Sequence, residues 1–468
     1  MDVLHAKNAE KILIKAFALA AAKNLQSALV PKKANKFFAT YGCRLFYERV
    51  WFGTIGICKT SSMKKQIYLD YAASTPVDKK VLEAMMPYLR RHYGNPSSTH
   101  SFGQKTRAAI EQAREQVAKF LHCKADEVIF TSGATEANNL AIRGIARNFQ
   151  FPISNFQSSP NDQNFKKIHI VTTAIEHESV LEPCRTLEKE GTTEVTYVKP
   201  QKDGIVLAQD IKNAIKPNTI LVSVMYANSE IGMIQPVQEI GAAIADLKRN
   251  TKQNYPVYHI DAVQAANFLD CNVNSLQVDL LTLSGHKIYG PKGVGVLYKR
   301  ERIPLGTLVQ GGGQEMGLRS GTENVAAIVG MGVAAEGLEN PRMMVTNIKV
   351  RQLRDKLIRA VLRKISHSEL SGSLERRLAN NAHFRFQGVE GRDIVIALDQ
   401  KGIAVSTGSA CSEKTQEPSH VLLALGLEKK DALSAVRITL GKQTKPEEIE
   451  KVIKALVQTV AQLRKTKI

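Results

Sequence analysis

The sequence predicts an α/β protein in which a large, mostly parallel sheet carries helices on both faces and a smaller α+β domain follows at the C-terminus. From Tyr68 onward, short β-rich runs alternate with helical stretches, the pattern of strands joined by helical crossovers. From about Gly332 that alternation gives way to long amphipathic helices with few strands. At 468 residues the chain is too long for one compact core, so two domains with appendages are expected.

Strands are expected at 128–131, 168–172, 194–198, 220–225, 257–260, 280–283 and 295–298, with helices at 136–147, 180–190 and 240–248 between them. The stretch 148–167, rich in Asn, Gln, Ser and Pro, reads as a surface insertion loop. The large domain is assigned to 63–331 and the small one to 332–468, with 63–80 expected to pack on the small domain. Ahead of them, residues 1–62 hold ten Lys or Arg against three acids, Asp2, Glu10 and Glu48. A misassigned start codon (Met63 opens a natural domain start), a targeting segment and an ordered extension are the readings of this stretch, in that order. The expected location is the cytoplasm, or an organelle if 1–62 is a transit peptide.

No run approaches the roughly 18 consecutive apolar residues that a membrane span needs, so no membrane is expected. The formal charge is +20, from 64 Lys and Arg against 44 Asp and Glu. It is spread along the chain without zinc-finger spacing or an RNA-recognition signature, and reads as a basic surface that favours acidic partners rather than one requiring nucleic acid. Six scattered cysteines with no CxxC pair argue against structural zinc and against a disulfide framework. No metal is expected, and any single thiol is free for chemistry.

Several segments carry that chemistry. In DLLTLSGHKIYGPKG, residues 279–293, a β-rich run delivers Ser284, His286 and Lys287 to a tight turn. A lysine at a strand end in apolar surroundings loses hydration, which makes its amine nucleophilic, as a Schiff base requires. Ser284 and His286 can donate to a phosphate. In HIDAVQ, Asp261 ends a buried strand and needs a cationic partner, which a protonated pyridine supplies; as a lone feature it would more often cap a helix. Gln264 follows within reach of the ring's phenolic oxygen. In FTSGATEANN a strand enters a small-residue turn that opens a helix, so backbone N–H groups around Ala134 and the Thr135 hydroxyl make an anion site.

His177 stands just beyond a strand end, where it can stack on a ring, and the Gly-rich segment 310–324 brings Thr322 to a phosphate, across a dimer interface in one reading. In AVSTGSACSEK small residues surround Cys411, which suits a mobile nucleophile better than a packed thiol. Arg437, in a β-rich run, needs an anionic partner such as a substrate carboxylate.

Together YLDYAASTP, GNPSSTH, SGATEANN, HIDAVQ, SGHKIYGPKG, GGGQEMGLRSGTEN and STGSACS, in this order from Ile67 to about Leu463, resemble the cysteine desulfurases of the NifS/IscS type. These belong to the class V branch of fold-type I pyridoxal-phosphate enzymes. The resemblance implies pyridoxal 5'-phosphate as cofactor, L-cysteine as substrate, and a homodimer. Lys287 would be the Schiff-base lysine, Asp261 the partner of the pyridine nitrogen and His177 the stacking ring. Thr135, Ser284, His286 and a neighbouring subunit's Thr322 would hold the phosphate, Arg437 the substrate carboxylate, and Cys411 the sulfur. Where the family reads Asn-Asn-Glu, this chain has Asn228, Ser229 and Glu230; Asn228 and Ser229 would lie on the substrate side, with Ser229 in place of the expected asparagine, which leaves the role of that position open. The loop around Cys411 resembles the group that passes persulfide to partner proteins, such as an iron–sulfur scaffold or a sulfur carrier, for iron–sulfur cluster assembly, tRNA thiolation or both. Transaminases, selenocysteine lyases and kynureninase-like lyases are the neighbouring alternatives, and a non-catalytic basic adaptor is the distant one.

Overall fold

The computed structural model describes residues 66–150, 167–408 and 417–466. All seven strands expected from the sequence form, each within a residue or so of its expected ends: β2 (Val128–Thr131), β3 (Ile168–Thr173), β4 (Thr193–Val198), β5 (Thr219–Met225), β6 (Val257–Asp261), β7 (Leu280–Ser284) and β8 (Gly295–Lys299). They make one sheet in the order β2-β8-β7-β6-β5-β3-β4. The pairs from β4 through β7 are parallel, and β8 is antiparallel to both β2 and β7.

Period-two alternation sorts the strand side chains onto two faces. Val171, Val222, Leu281 and Val296 enter one buried cluster, while their chain neighbours Ile170, Leu221, Leu280 and Leu297 enter another. Helices cover both: α1 (Lys79–Arg90), α2 (Ser101–Leu121), α3 (Ala134–Gln150), α4 (Glu178–Lys189), α5 (Ala208–Ala214), α6 (Val237–Thr251) and α7 (Val325–Leu338). Two expectations shift. The insertion loop was expected to begin at Asn148, but α3 continues to Gln150, with Phe149 packed edge-on against Tyr255 at 4.7 Å between ring centroids; residues 151–166 lie outside the described residues. Helix α7 runs across the domain boundary expected at 331/332, and its buried residues on both sides of that point, Ile328, Met331, Ala334 and Ala335, belong to the large-sheet core.

A separate cluster lies around the sheet β9 (Ser368–Leu370), β10 (Asn381–Phe386) and β12 (Ala435–Thr439), with α8 (Pro341–Lys364), α9 (Gly391–Asp399) and α12 (Pro446–Thr466) contributing Leu357, Ile394 and Leu456. Strand β1 (Ile67–Tyr68) pairs in parallel with β11 (Ile403–Ala404), and Ile67 and Leu69 fill the same cluster. Two short helices, α10 (His420–Ala424) and α11 (Lys429–Leu433), complete the described chain. Among the described residues no helix is long and apolar enough to cross a membrane, and no cluster of His, Cys, Asp and Glu is arranged to hold a metal ion.

The Gly-rich segment is anchored by one buried ion pair. Arg114 of α2 grips Glu315 with two bonds of 2.8 Å, donates to the Val128 carbonyl at 2.6 Å and lies over the Phe130 ring. Glu315 also accepts the Phe130 N–H at 2.7 Å. Glu315→Ala leaves buried Arg114 with only the more exposed Glu111, 3.3 Å from its Nε, as carboxylate partner and is expected to cost about 3 kcal/mol of unfolding free energy. The double variant Arg114→Met with Glu315→Ala should recover part of that loss in denaturant titration. Equal losses in the single and double variants would show that the orphaned charge is not the cause.

Candidate active site

Strands β3, β5, β6 and β7 run the same way, and β2 runs with them because β8 opposes both it and β7. Their C-terminal ends open on one edge, where α/β sheets hold ligands. A cavity of about 570 Å³ lies there, lined by Ala134, Thr135, His177, Asn228, Ser229, Asp261, Gln264, Ser284, His286, Lys287 and Arg437. Two residues singled out in the sequence are not among its walls. Thr322 is exposed and stands away from this cavity, and Cys411 falls in 409–416, outside the described residues; the preceding Gly408 does line the cavity.

Asp261 ends β6 almost wholly buried, and its two oxygens are separately held. Oδ1 accepts the Val263 N–H at 3.0 Å, and Oδ2 accepts from Asn138 Nδ2 at 2.8 Å. The same Asn138 amide donates to Ser179 Oγ at 2.8 Å. Ser179 in turn lies 2.8 Å from His177 Nδ1 through its hydroxyl and donates its N–H to that nitrogen at 3.1 Å. An accepting Nδ1 leaves the ring proton on Nε2. Burial pulls the His177 pKa down, against the opposing charge of Asp261, so the imidazole is neutral. A chain of four side chains thus orients His177 from Asp261.

Lys287 follows β7 in a 3-10 turn, Gly285–Lys287, and its Nζ donates to the carbonyls of Ala72 and Ala73 at 2.5 and 2.8 Å. Gln264 Nε2 donates to the same Ala72 carbonyl at 3.0 Å. Beside them Gly133, Ala134 and Thr135 line the cavity at the start of α3, where first-turn N–H groups lack intrahelical partners. Strand β8 passes so close that a side chain at Gly295 would sit 2.5 Å from the Gly133 carbonyl carbon. His286 Nδ1 is buried without a hydrogen-bond partner, and burial, then the charges of Lys287 and Lys292, holds its pKa down to about 4.

Arg437, on β12, reaches the opposite side of the cavity. Its Nη2 pairs with Asp70 at 2.8 Å, and Nη1 donates to the carbonyls of Ser229 and Gly408 at 3.0 and 3.2 Å. Its Nε–H is buried without a partner. Ser229 therefore meets Arg437 through its backbone. The Asn228 amide is committed within its own loop: Nδ2 donates to the Ile175 carbonyl and to Met225 sulfur, and Oδ1 accepts the N–H groups of Glu230 and Ile231. With both ends engaged, the Asn228 amide shapes its own loop at the cavity wall.

Sequence reasoning passed over Asp70, Asn138, Ser179, Glu176 and Glu230. The first two stand in the quoted YLDYAAS and SGATEANN runs, so the motifs held the signal without the contact. Glu176 is fully buried in the cavity wall; Oε1 accepts from Thr173 Oγ1 and the Met225 N–H, and Oε2 has no partner. Burial, with the Asp261 charge adding to it, pushes its pKa up to about 8. Burial likewise lifts Glu230 to about 7. The unfolded chain ionises Glu176 near 4.5 and the fold delays this to about 8, so its contribution to stability declines as pH rises through that interval. Glu176→Gln should shrink the fall in unfolding free energy between pH 5 and pH 8 by on the order of 1 kcal/mol or more. An unchanged pH slope in denaturant titrations would place that proton elsewhere.

Comparison with known proteins agrees with this arrangement. Residues 67–452 match the family described as aminotransferase class-V. The chain is 46% identical over 403 residues to the cysteine desulfurase IscS of Dictyoglomus turgidum, covering 86% of this chain and 96% of that protein. Among solved structures it is similar to a NifS-like protein, with a TM-score of 0.76 and 34% identity over 85% of this chain and all of the other. It is also similar to SspA, solved in complex with cysteine, with a TM-score of 0.68 and 36% identity over 80% of this chain and 99% of that one. With its strand-end lysine, buried aspartate and capping histidine in one cavity, the chain belongs to the pyridoxal-phosphate-dependent class V aminotransferase family, in its cysteine desulfurase branch.

Proposed function

We propose that this protein takes sulfur from L-cysteine, releases L-alanine and carries the sulfur as a persulfide on Cys411. The observation that carries the reading is the convergence of Lys287, Asp261, His177 and Arg437 on one cavity at the strand ends. The donor set fits pyridoxal 5'-phosphate. The unpartnered Nδ1 of His286, beside Ser284 and the first turn of α3, suits the phosphate, and buried Asp261 suits a protonated pyridine nitrogen. When bound, the cofactor supplies an electron sink for charge developing at the substrate's α-carbon.

The remaining work falls to the chain. Lys287 Nζ holds the cofactor and then takes the Cα proton, its two carbonyl contacts keeping it aimed along the cavity. Asp261, braced by Asn138 and the Val263 amide, would face the pyridine N–H. Neutral His177 stacks on the ring and keeps its Nε2 proton available for transfer. Arg437, with one N–H still unpartnered, receives the substrate carboxylate. The Cys411 thiolate attacks the substrate sulfur; the Cβ–S bond breaks, a sulfur–sulfur bond forms, and a proton delivered to Cβ completes alanine.

The finer assignments are part of the same reading. The active unit is a homodimer: Leu89, Tyr93 and Phe102 are 60%, 77% and 55% exposed, the last two with ring centroids 5.9 Å apart, and a second copy covers them. Thr322, exposed and away from its own cavity, reaches the phosphate of that copy. The chain divides into two domains after α7, and 63–80 packs with the second. Sulfur passes to an iron–sulfur scaffold or a sulfur carrier protein in the cytoplasm, or in an organelle if residues 1–62 direct it there.

Purified protein given L-cysteine and a reductant should yield alanine and sulfide in equal amounts. Cys411→Ser should abolish sulfide while leaving the visible absorbance of the cofactor intact. A yellow protein that releases neither product would move the reading to another class V reaction. Lys287→Ala should lower turnover by roughly a hundredfold or more and remove the absorbance of the lysine-bound cofactor; normal turnover in that variant would remove Lys287 from its assigned role.

A further inference from the structure

Glu230 lies where the mechanism above makes no use of it. Its backbone is pinned on both sides, the N–H donating to Asn228 Oδ1 at 2.9 Å and the carbonyl accepting from Asn381 Nδ2 at 2.9 Å. Its side chain is 3% exposed and lines the cavity. From that fixed point it touches both described ends of the chain that border residues 409–416. On one side Ser419, which also caps α10, donates its hydroxyl to Glu230 Oε2 at 2.7 Å. On the other side Gly408, at φ +102°, lies so close that a side chain there would meet Glu230 Cγ at 2.6 Å. The Gly408 carbonyl is in turn one of the three acceptors of Arg437. The second carboxyl oxygen, Oε1, is buried without a hydrogen-bond partner, and His383 Nε2 stands 3.7 Å from it.

An ordinary packing residue at this place would be apolar, because burying a carboxyl with one oxygen unpartnered costs free energy unless its hydrogen bonds are needed. We propose that Glu230 is a positioning residue for sulfur transfer: its carboxyl holds Ser419 and its side chain packs against Gly408, fixing the described chain on either side of residues 409–416. Arg437 keeps its Asp70 and Ser229 partners without it, so the effect falls on the cysteine segment more than on substrate binding. This inference rests on the reading of Cys411 as the sulfur acceptor.

The test compares Glu230→Ala and Glu230→Gln in the holoenzyme. Removing a hydrogen bond to a carboxyl of this kind corresponds to roughly a tenfold effect. In Glu230→Ala the rate of Cys411 alkylation by iodoacetamide, followed by peptide mass spectrometry, should rise by about that factor. Its kcat for alanine release should fall similarly while the KM for L-cysteine stays within about twofold. Glu230→Gln, which can still accept from Ser419, should restore both. An alanine variant indistinguishable from wild type, or a glutamine variant as impaired as the alanine one, overturns the proposal. Should Glu230→Ala fail to fold, Ser419→Ala removes the same bond from the other partner, and its unchanged alkylation rate overturns the proposal equally. The alkylation arm requires no turnover. Failure of the desulfurase reading, seen as a wild-type protein that makes no alanine, is therefore distinguishable from failure of the role given to Glu230.

Discussion

A carboxylate at the end of a buried strand is costly, and the way Asp261 is kept there organises the site. Its oxygens are claimed by a backbone amide and by Asn138, and Asn138 is shared with Ser179, which fixes His177. One desolvated charge thus determines the tautomer of a histidine that follows a different strand. The low dielectric that makes Asp261 expensive also raises Glu176 to a pKa of about 8, so at pH 7 the Glu176 carboxyl stays mostly neutral and adds little to the charge of Asp261.

The sheet was legible because its strands are short, β-branched and bounded by turn residues, and each local pattern agreed with the global fold. Lys287, Asp261 and Arg437 were legible because each is an ionisable residue where an ionisable residue is costly. Asn138 was not, since its partner Asp261 lies 123 residues away and only the order of strands brings them together. Periodicity carries no information about that order. The bonds of Asn228 were hidden for a similar reason: nothing in the sequence shows that its own loop engages both ends of its amide. The boundary expected at 331/332 falls inside α7, which is apolar almost throughout, so hydropathy marks no break there.

The two sides of the cavity come from separate cores. Lys287, Asp261 and His177 follow strands of the large sheet, whereas Arg437 belongs to β12 and is aligned by Asp70, next to β1. Under the proposed roles, substrate recognition and cofactor chemistry fall to different parts of the chain, joined through the carbonyls of Ser229 and Gly408. A substitution that alters the fit between the two cores would disturb recognition of the carboxylate before it disturbed the cofactor.

The antiparallel strand β8 has a consequence for biosynthesis. Strand β2 has no partner in the sheet other than β8, so Val128–Thr131 stays unpaired until Gly295–Lys299 has left the ribosome. At about 5–20 residues per second that interval is many seconds, during which an apolar edge is open to wrong partners. The turn into α3 cannot be closed against Gly295 before then. The corner at the start of α3 is therefore among the last parts of the large sheet to close, and under the proposed reading a nascent chain holds no phosphate there until Gly295–Lys299 is in place.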